Sequence, residues 1–349
     1  MQIRGIVFIA TISLFFGCKQ EQVEITPPAN DNPTVTLTKL AFGSCGNQNL
    51  EQPILYTISN YKPDVFCYIG DNVYGDTRNM SVLRQQYAKL ASKPEFVKLT
   101  SETPVIATWD DHDYGENDAG TFYPMKNFSK DIFLNFWGEP ASSPRRSRDG
   151  IYTSYYYGDQ EHRVQVILLD NRFNRSNLEG NLLGYSPTLD PTRTMLGENQ
   201  WNWLKNELLQ PAKIRIIASS TQFCVEHNGW EAWANFPLQQ EKMFETIRET
   251  QAEGVFFLSG DVHYGELSKQ TPENLYPIYD LTSSGITNIE DNPAPNQYRI
   301  VTKDPIMIRH FGAIEINWDV NPVTITYKII GGQGNAKLEH TISLDELQF

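Results

Sequence analysis

The sequence predicts an α/β fold made of two facing sheets in a single domain over residues 35–349. From Leu37 onward, short apolar runs that are typical of buried strands alternate with segments of helical spacing. Near the end of the chain the pattern changes to alternating polar and apolar residues with turns between them, which predicts an antiparallel meander. No repeat of roughly 20–50 residues is visible, so a solenoid or propeller is not expected.

The expected strands are runs rich in β-branched and aromatic residues, which favour extended backbone. Six such runs precede residue 260: 37–43, 65–70, 105–109, 163–170, 214–219 and 255–259. The meander would follow over 311–317, 323–330 and 337–342. We expect the meander to form a second sheet that packs on the first.

Apolar residues at helical spacing predict helices over 81–99, 128–137, 198–209 and 238–251. In the last of these, Met243, Phe244 and Ile247 recur at helical spacing, which is typical of core packing rather than of contact with a cofactor. Helices that alternate with strands in this way are expected to cover the faces of the sheets.

The first 18 residues are typical of an export signal. Arg4 precedes the apolar stretch 5–16, which is too short to span a bilayer as a helix. Gly17 directly before Cys18 resembles a bacterial lipoprotein signal, in which Cys18 becomes the lipid-carrying first residue; a plain secretory signal is the alternative. We expect an exported protein, periplasmic or at the cell surface, that is held at the membrane by this lipid alone, with residues 19–34 as a flexible tether.

The acidic composition limits the partners of the protein. The formal net charge of −13 argues against a general nucleic-acid binder, which needs a basic surface. An acidic protein can still bind an anionic substrate when bound cations supply local positive charge. The hydrophobic content of 40% is enough for a sizeable core, and the sequence indicates no obligate protein partner.

Three cysteines remain once Cys18 is set aside, an odd number for an exported chain. Cys67 and Cys224 lie in apolar, strand-like runs, so we expect both to be buried, with one disulfide and one free thiol as the alternative. Cys45 ends the first strand after Gly43 and Ser44. It is either a small buried residue or a thiolate ligand for a soft or borderline metal.

Side chains that bind metals cluster where the expected strands end, which is the edge at which open α/β sheets place their sites. Cysteine, aspartate, tyrosine and histidine can together hold two hard or borderline cations. We therefore interpret the sequence as that of a two-metal hydrolase. The four segments concerned are 43–45, 70–74, 109–113 and 260–263.

Asp71 is the best candidate for a ligand shared by two cations. It follows the run 65–70, and Gly70 allows a sharp turn that would project the carboxylate from the sheet. Tyr74 lies three residues further on and can return to the same site. A phenolate ligand requires a strongly Lewis-acidic ion and points to ferric iron, whereas an ordinary half-buried tyrosine is the alternative.

Three carboxylates and an imidazole follow one another in Asp110, Asp111, His112 and Asp113. If these groups were desolvated together, the carboxylates would repel one another. The run therefore requires either a cation or full exposure to solvent. In the first case, His112 would act as a general acid or donate a hydrogen bond to the leaving group.

Asp261 and His263 alternate after the run 255–259, so they would point to the same face. A carboxylate and an imidazole on one face suit two adjacent metal ions, and a salt-bridged pair is the alternative. Glu266 follows, and we expect it to accept a hydrogen bond from His263 and thereby orient it.

Three further residues are candidates for contacts with substrate or metal. Arg172 ends another strand, and its planar guanidinium suits two phosphate oxygens, with pairing to Asp170 as the alternative. Gln222 would offer an amide oxygen to a metal or else pack. Trp230 lies in the aromatic loop 229–237, which would wall the site against an apolar ester group or lead into the next helix.

The order of these motifs resembles the alkaline phosphatase D (PhoD) branch of the calcineurin-like metallophosphoesterases over about residues 40–266. The resemblance rests on Cys45, Asp71 with Tyr74, the run 110–113, Arg172, Gln222, and Asp261 with His263. It implies a four-layer αββα sandwich of two mixed sheets and a phosphoric ester hydrolase that uses ferric iron and calcium. Gln239 and Gln240 stand where relatives often show arginine, and Glu266 has no role from the family.

The resemblance also implies a role for each matching residue. Cys45, Asp71, Tyr74 and His263 would hold iron. Asp71, Asp111 and Asp261 would hold calcium, with Asp110 as the competitor of Asp111. His112 would face the leaving group, and Arg172 would contact the phosphoryl oxygens.

The mechanism that we expect is hydrolysis of a phosphate ester outside the cytoplasm by a metal-bound hydroxide. Coordination lowers the pKa of water from about 15.7 towards ~7, which provides hydroxide near neutral pH. A phosphomonoesterase with zinc or manganese is the alternative among enzymes. A non-catalytic surface lipoprotein that binds a ligand through Trp230 and Trp233 is the alternative from another class.

Overall fold

The computed structural model describes residues 25–181 and 183–349. The expected signal peptide over residues 1–18, including Cys18, lies outside the described residues. Within those residues, no helix combines the length and the apolarity that crossing a membrane requires.

The strands of the described residues form two large sheets and a small hairpin. They are β1 (Asp31–Asn32), β2 (Lys39–Gly43), β3 (Val65–Ile69), β4 (Val105–Thr108), β5 (Thr153–Tyr157), β6 (Val164–Leu168), β7 (Glu179–Asn181), β8 (Gly184–Ser186), β9 (Ile214–Ala218), β10 (Val255–Ser259), β11 (Gly265–Gln270), β12 (Ile278–Ser283), β13 (Arg299–Ile300), β14 (His310–Asn317), β15 (Thr324–Gly331) and β16 (Ala336–Ser343).

The helices lie between these strands. They are α1 (Ile54–Tyr61), α2 (Met80–Ala91), α3 (Pro94–Glu102), α4 (Asp111–Tyr114), α5 (Lys126–Phe136), α6 (Pro144–Ser147), α7 (Glu198–Leu208) and α8 (Pro237–Thr250). The prediction of one helix over 81–99 was wrong, since α2 and α3 are separate. Pro94 disfavours helical backbone at Lys93, which is extended, and begins α3 instead.

Both large sheets are mixed, which confirms the predicted α/β class. One has the strand order β16-β15-β14-β2-β3-β4, and the other has the order β1-β5-β6-β9-β10-β12-β11-β13. The prediction that the C-terminal meander forms a separate second sheet was wrong. The first strand of the meander, β14, pairs antiparallel with β2, where Gly312 opposite Phe42 leaves room for the phenyl ring.

Alternation along β2 and β3 shows how the layers are arranged. Leu40 and Cys67 lie in an apolar core that contains side chains of both sheets and continues to α7 and α8. Ala41, Phe66 and Tyr68 point to the opposite face, where they pack with α1, α2, α3 and α5. The order of layers is therefore helix, sheet, sheet, helix, as predicted.

The N-terminal boundary of the domain differs from the expected one. Residues 25–34, assigned to a flexible tether, lie against the domain. Ile25 is buried in the helix-covered core, and β1 pairs parallel with β5. The side-chain amide of Asn30 also donates to the backbone oxygen of Ser154 at 2.7 Å. A polar segment can still pair with a strand that would otherwise leave the sheet edge open.

Candidate metal centre

The candidate site lies at the carboxyl ends of four strands from both sheets. Cys45 follows β2, Asp71 follows β3, Asp111 follows β4, and Asp261 follows β10. Gly70 allows two of these turns to approach closely, because a Cβ at this position would lie 2.5 Å from the Cβ of Asp110. The topology therefore brings together side chains that are far apart in the sequence.

Strained backbone is concentrated at this edge. Ten non-glycine residues of the described chain have positive φ, and six of them lie at the site: Cys45, Asp71, Asp76, Asp118, Asp261 and His263. Such conformations cost about 1–3 kcal/mol each and persist only where the surrounding structure imposes them. The fold therefore holds these side chains in one place at an energetic cost, which is characteristic of functional sites.

Asp71 belongs to two groups of potential ligands. In each group, one ligand atom from every residue lies within 4.8 Å of the others. The first group is Cys45, Asp71 and His263, and the second is Asp71, Asp111 and His112. A single carboxylate thus lies between one side that carries a thiol and an imidazole and another side that is rich in oxygen. That Asp71 is shared by two cations stays a prediction.

The thiol side also includes Tyr74. The Sγ of Cys45 lies 3.5 Å from Oδ2 of Asp71, and the hydroxyl of Tyr74 lies 3.3 Å from Nε2 of His263. The side-chain amide of Asn288 donates to the Tyr74 hydroxyl at 2.6 Å. The structure therefore gathers the four residues that the resemblance implies for iron.

The oxygen-rich side extends from Asp111 to Asp110 and Asp261, which form a further group with Asp111 within the same distance. The backbone N–H of Asp118 donates to Oδ2 of Asp111 at 2.6 Å. Oδ2 of Asp110 is buried and has no hydrogen-bond partner among the described residues. An unpartnered carboxylate oxygen beside two other carboxylates fits a hard cation with oxygen ligands.

Burial makes this cluster unfavourable without positive charge. It raises the pKa of Cys45, Asp71 and Asp261 well above their ordinary values, and nearby carboxylates add to the effect. At Asp111 burial acts in the same direction, but Arg172 and His112 outweigh it and lower the pKa to about 2. The donors comprise a thiol, a phenol, an imidazole and several carboxylates, a set that fits one borderline and one hard cation.

Arg172 lies behind the carboxylates rather than in the cleft. Its side chain is 0% exposed, with Nε 2.5 Å from Asp110 and Nη1 2.7 Å from Glu231. The third nitrogen, Nη2, has no hydrogen-bond partner among the described residues and lies 3.9 Å from Oδ1 of Asp111. The contact of Arg172 with phosphoryl oxygens stays a prediction. The alternative pairing with the side chain of Arg172 is not observed for Asp170, which accepts from the backbone N–H of Arg172 instead.

The prediction that Glu266 accepts a hydrogen bond from His263 was wrong, because Glu266 has other partners. It is fully buried and accepts hydrogen bonds from Gln222 at 2.9 Å, Asn296 at 2.7 Å and Arg299 at 2.5 Å. The amide nitrogen of Gln222 is thereby bound to Glu266 and to Thr282, which makes it part of the packing of the sheet. Glu266 and Gln222 thus join the loop around Asn296 to the eight-stranded sheet.

An open cleft of about 250 Å³ leads to the cluster. Trp230 is 58% exposed and lines this cleft together with His112, Asp118, Tyr185 and Glu290. This position agrees with the expectation that the aromatic loop walls the site. Cys67 and Cys224 are buried away from it, as expected, and the three cysteines of the described chain are all free.

Four residues of the site are absent from the sequence predictions. Asp76 contacts His112, Asp118 contacts Asp111, Glu231 pairs with Arg172, and Asn288 contacts Tyr74. Glu231 had a detectable signal, because it is an acidic residue inside an otherwise apolar aromatic loop. Asn288 had none, since it follows the unpredicted strand β12.

The fold and the ligand cluster together define a four-layer α/β sandwich of the metallophosphoesterase type. The chain belongs to the PhoD-like phosphatase family, whose family model matches residues 40–290.

Comparisons with individual proteins agree with this assignment. Alkaline phosphatase D of Bacillus subtilis (strain 168) is 24% identical over 304 residues, which cover 75% of this chain and 51% of the relative. The chain therefore spans about half the length of that curated relative. The solved structure of PhoD superimposes with a TM-score of 0.73 at 19% identity and covers 92% of this chain and 72% of its own.

A second solved structure shares the fold more distantly. It is GAP50, described as the anchor in the inner membrane complex of Plasmodium, with a TM-score of 0.57 at 11% identity. The match covers 88% of this chain and 89% of that chain. At this identity the likeness concerns the fold alone.

Proposed function

We propose that the protein is a metal-dependent phosphoric ester hydrolase of the phosphodiesterase type that acts outside the cytoplasm. The observation that carries the proposal is the position of Asp71 in two ligand groups. A carboxylate shared between chemically different donor sets suits two different cations side by side, which is the arrangement used for in-line displacement at phosphorus. Membership of the PhoD-like family supports the same reaction class.

From the donor chemistry we propose a different cation for each side. Cys45, Asp71, Tyr74 and His263 would hold ferric iron, and Asp71, Asp111 and Asp261 would hold calcium, with Asp110 beside them. Cations held there would lower the pKa of a bound water from about 15.7 towards ~7, so that hydroxide is available near neutral pH, and would neutralise charge on the phosphoryl oxygens.

The protein groups around the cluster have separate tasks. His112 lines the cleft, and its proposed task is to donate a hydrogen bond to the leaving group. Arg172 balances the negative charge of Asp110 and Glu231 from the buried side, which keeps the carboxylates in place. Trp230 offers an exposed aromatic face at the mouth of the cleft to an apolar part of the ester.

We also propose that the protein is exported as a lipoprotein and anchored through Cys18. The proposal is supported by the basic start, the short apolar stretch and the Gly17–Cys18 pair. Fractionation of cells that produce the full chain should place it with membranes, and Cys18→Ala should release it from them. A wild-type protein found in the cytoplasmic fraction would overturn this part of the proposal.

Elemental analysis and hydrolysis of bis(4-nitrophenyl) phosphate test the reaction directly. The purified protein should contain iron and calcium, should lose activity on prolonged chelation, and should regain it with both ions. Cys45→Ala should lose the iron, whereas Cys67→Ala, a matched control at another buried free thiol, should keep it.

Two outcomes would contradict the proposal. Activity that survives complete removal of metal would exclude a metal-dependent reaction. Zinc or manganese in place of iron and calcium, with faster hydrolysis of 4-nitrophenyl phosphate than of the diester, would favour the phosphomonoesterase instead.

A further inference from the structure

The ring of His112 is held by a residue that belongs to none of the ligand groups. Nδ1 of His112 lies 2.7 Å and 2.9 Å from the two carboxylate oxygens of Asp76. Asp76 is half exposed at the surface, with 45% of its side chain accessible, whereas His112 is 18% exposed and lines the cleft. Asp76 thus contacts the side of the ring that carries Nδ1 and leaves Nε2 free of this contact.

The two residues before Asp76 hold His112 by other contacts. The backbone N–H of Gly75 donates to the backbone oxygen of His112 at 3.0 Å. The ring of Tyr74 lies against the imidazole, with ring centroids 4.2 Å apart and planes inclined by 33°. Three consecutive residues therefore contact three different parts of His112: its ring face, its backbone and its Nδ1.

The backbone at residues 75 and 76 has two features that allow these contacts. A Cβ at Gly75 would lie 3.0 Å from the backbone oxygen of His112 and 2.6 Å from Cδ1 of Leu83, so a larger residue would push the segments apart. Asp76 has a φ of 41°, a conformation that L-residues rarely adopt. The strain at Asp76 is consistent with a backbone that is held in place so that its carboxylate reaches His112.

We propose that Asp76 is a positioning residue that fixes the imidazole of His112, with its Nδ1–H bonded to the Asp76 carboxylate and its Nε2 facing the cleft. The inference rests on the proposed function, in which His112 meets the leaving group of the ester. A carboxylate that accepts from one ring nitrogen of histidine sets the tautomer and the orientation of the other nitrogen.

A second Asp–His pair in the chain provides a matched control. Nδ1 of His162 lies 2.9 Å from Oδ1 of Asp159, and both side chains are exposed, remote from the residues that line the cleft. Asp159→Ala removes the same kind of contact as Asp76→Ala but leaves His112 untouched. The comparison separates loss of an exposed ion pair from loss of position at the site.

The kinetic experiment uses the full chain reconstituted with metal and bis(4-nitrophenyl) phosphate as substrate. Asp76→Ala should lower kcat about 10–100-fold, the usual cost of removing such an orienting partner, with little change in KM or in metal content. Asp76→Asn keeps an oxygen that can accept from Nδ1–H, but it has no charge and can also present its NH2 group, so it should recover only part of the lost kcat. Asp159→Ala should match the wild type.

A double-mutant cycle tests whether Asp76 acts through His112. On a His112→Gln background, Asp76→Ala should cause no further loss of kcat, because residues that act as one unit are not additive. Additive losses would overturn the proposal. The proposal would also be overturned if Asp76→Ala had the same kcat as Asp159→Ala. The same holds if the activity of Asp76→Ala fell only because the protein had lost its metal.

A readout without catalysis distinguishes this inference from the proposed function. In ¹⁵N-histidine NMR of the metal-free full chain, the His112 Nδ1–H proton should be protected from exchange in the wild type and in Asp76→Asn, and exchange freely in Asp76→Ala. An inactive wild type with this signal would defeat the proposed function and leave the positioning intact. Equal exchange in wild type and Asp76→Ala would defeat the positioning.

Discussion

The thiol of Cys45 lies 3.5 Å from the carboxylate of Asp71, although the two residues follow different strands. Both have positive φ, 61° and 49°, and burial raises the pKa of both side chains. As anions in contact they would repel each other, and as neutral groups they would lose affinity for metal. A cation between them resolves this conflict. We therefore expect the site to bind metal and, when no metal is bound, to lower the free energy of unfolding.

Asp71→Asn should therefore stabilise the metal-free protein while abolishing metal binding and activity. The raised pKa means that the folded state favours the neutral carboxyl, so its cost to stability grows as pH rises above ~3.9 towards the raised value. Asparagine carries no such cost and tolerates positive φ. Urea unfolding should show a gain of about 0.5–2 kcal/mol at pH 8, the usual range of a single stabilising substitution, and a smaller gain at pH 5.

Asp280→Asn is the matched control for this prediction. Asp280 is equally buried, but it accepts hydrogen bonds from the backbone N–H groups of Phe223 and Cys224 and from the hydroxyl of Ser259. Asparagine has one side-chain oxygen in place of two, so at least one of these hydrogen bonds would be lost, and Asp280→Asn should destabilise the protein. A metal-free Asp71→Asn protein that is less stable than the wild type would contradict the interpretation of Asp71.

Arg172→Met should be among the most destabilising single substitutions in the chain. It would leave Asp110 and Glu231 buried without their partner, and breaking a buried pair in this way costs about 3–5 kcal/mol. Arg78→Gln removes an exposed pair with Glu116 and should cost about 0–1 kcal/mol. Equal urea midpoints for the two variants would show that the buried ion pairs of Arg172 stabilise the fold no more than the exposed pair of Arg78 does.

The positions of the site residues were largely predictable, whereas their partners were not. Glycine-terminated apolar runs identified the turns that carry Cys45, Asp71 and Asp261, because a buried strand and its end are encoded locally. The pairing of Arg172 with Glu231 depends on how two loops 59 residues apart meet, which no local pattern contains. The same limit explains the wrong partner predicted for Glu266.

The sheet to which a strand belongs was also beyond local patterns. The alternation in β14 correctly predicted a strand, but the same alternation fits a separate sheet and an added edge beside β2 equally well. The choice is made by packing across the pair, where Phe42 occupies the space left by Gly312. The position of β1 beside β5 was not predictable either, because the two polar residues of β1 carry no strand pattern.

His310 should make the protein less stable in mild acid. It is fully buried, its Nε2 has no hydrogen-bond partner among the described residues, and burial lowers its pKa to about 4. A histidine with a lowered pKa binds its proton more readily when unfolded, so stability is complete above pH ~6.5 and is lost as pH falls towards 4. The loss should reach about 2 kcal/mol at pH 5.

Urea unfolding of the metal-free protein at pH 7.5 and pH 5.0 measures this contribution. Buried carboxyls with raised pKa values act in the opposite direction, so the difference between wild type and His310→Met isolates the histidine. The variant should lose about 2 kcal/mol less than the wild type over this interval. An identical loss in both proteins would mean that His310 does not titrate between the two states.

Trp230 should affect binding of the ester without affecting the fold. Its side chain is 58% exposed at the mouth of the cleft, so Trp230→Ala removes little core packing and should leave the unfolding midpoint unchanged. A stacking contact with an aryl group is worth about 0.5–1.5 kcal/mol, so KM for bis(4-nitrophenyl) phosphate should rise about 3–10-fold at unchanged kcat. Phe128 is 56% exposed and does not line the cleft, so Phe128→Ala should change neither quantity. An alkyl ester has no ring to stack, so Trp230→Ala should change KM for a dialkyl phosphate much less. An equal change in KM for both esters would mean that Trp230 does not contact the leaving group.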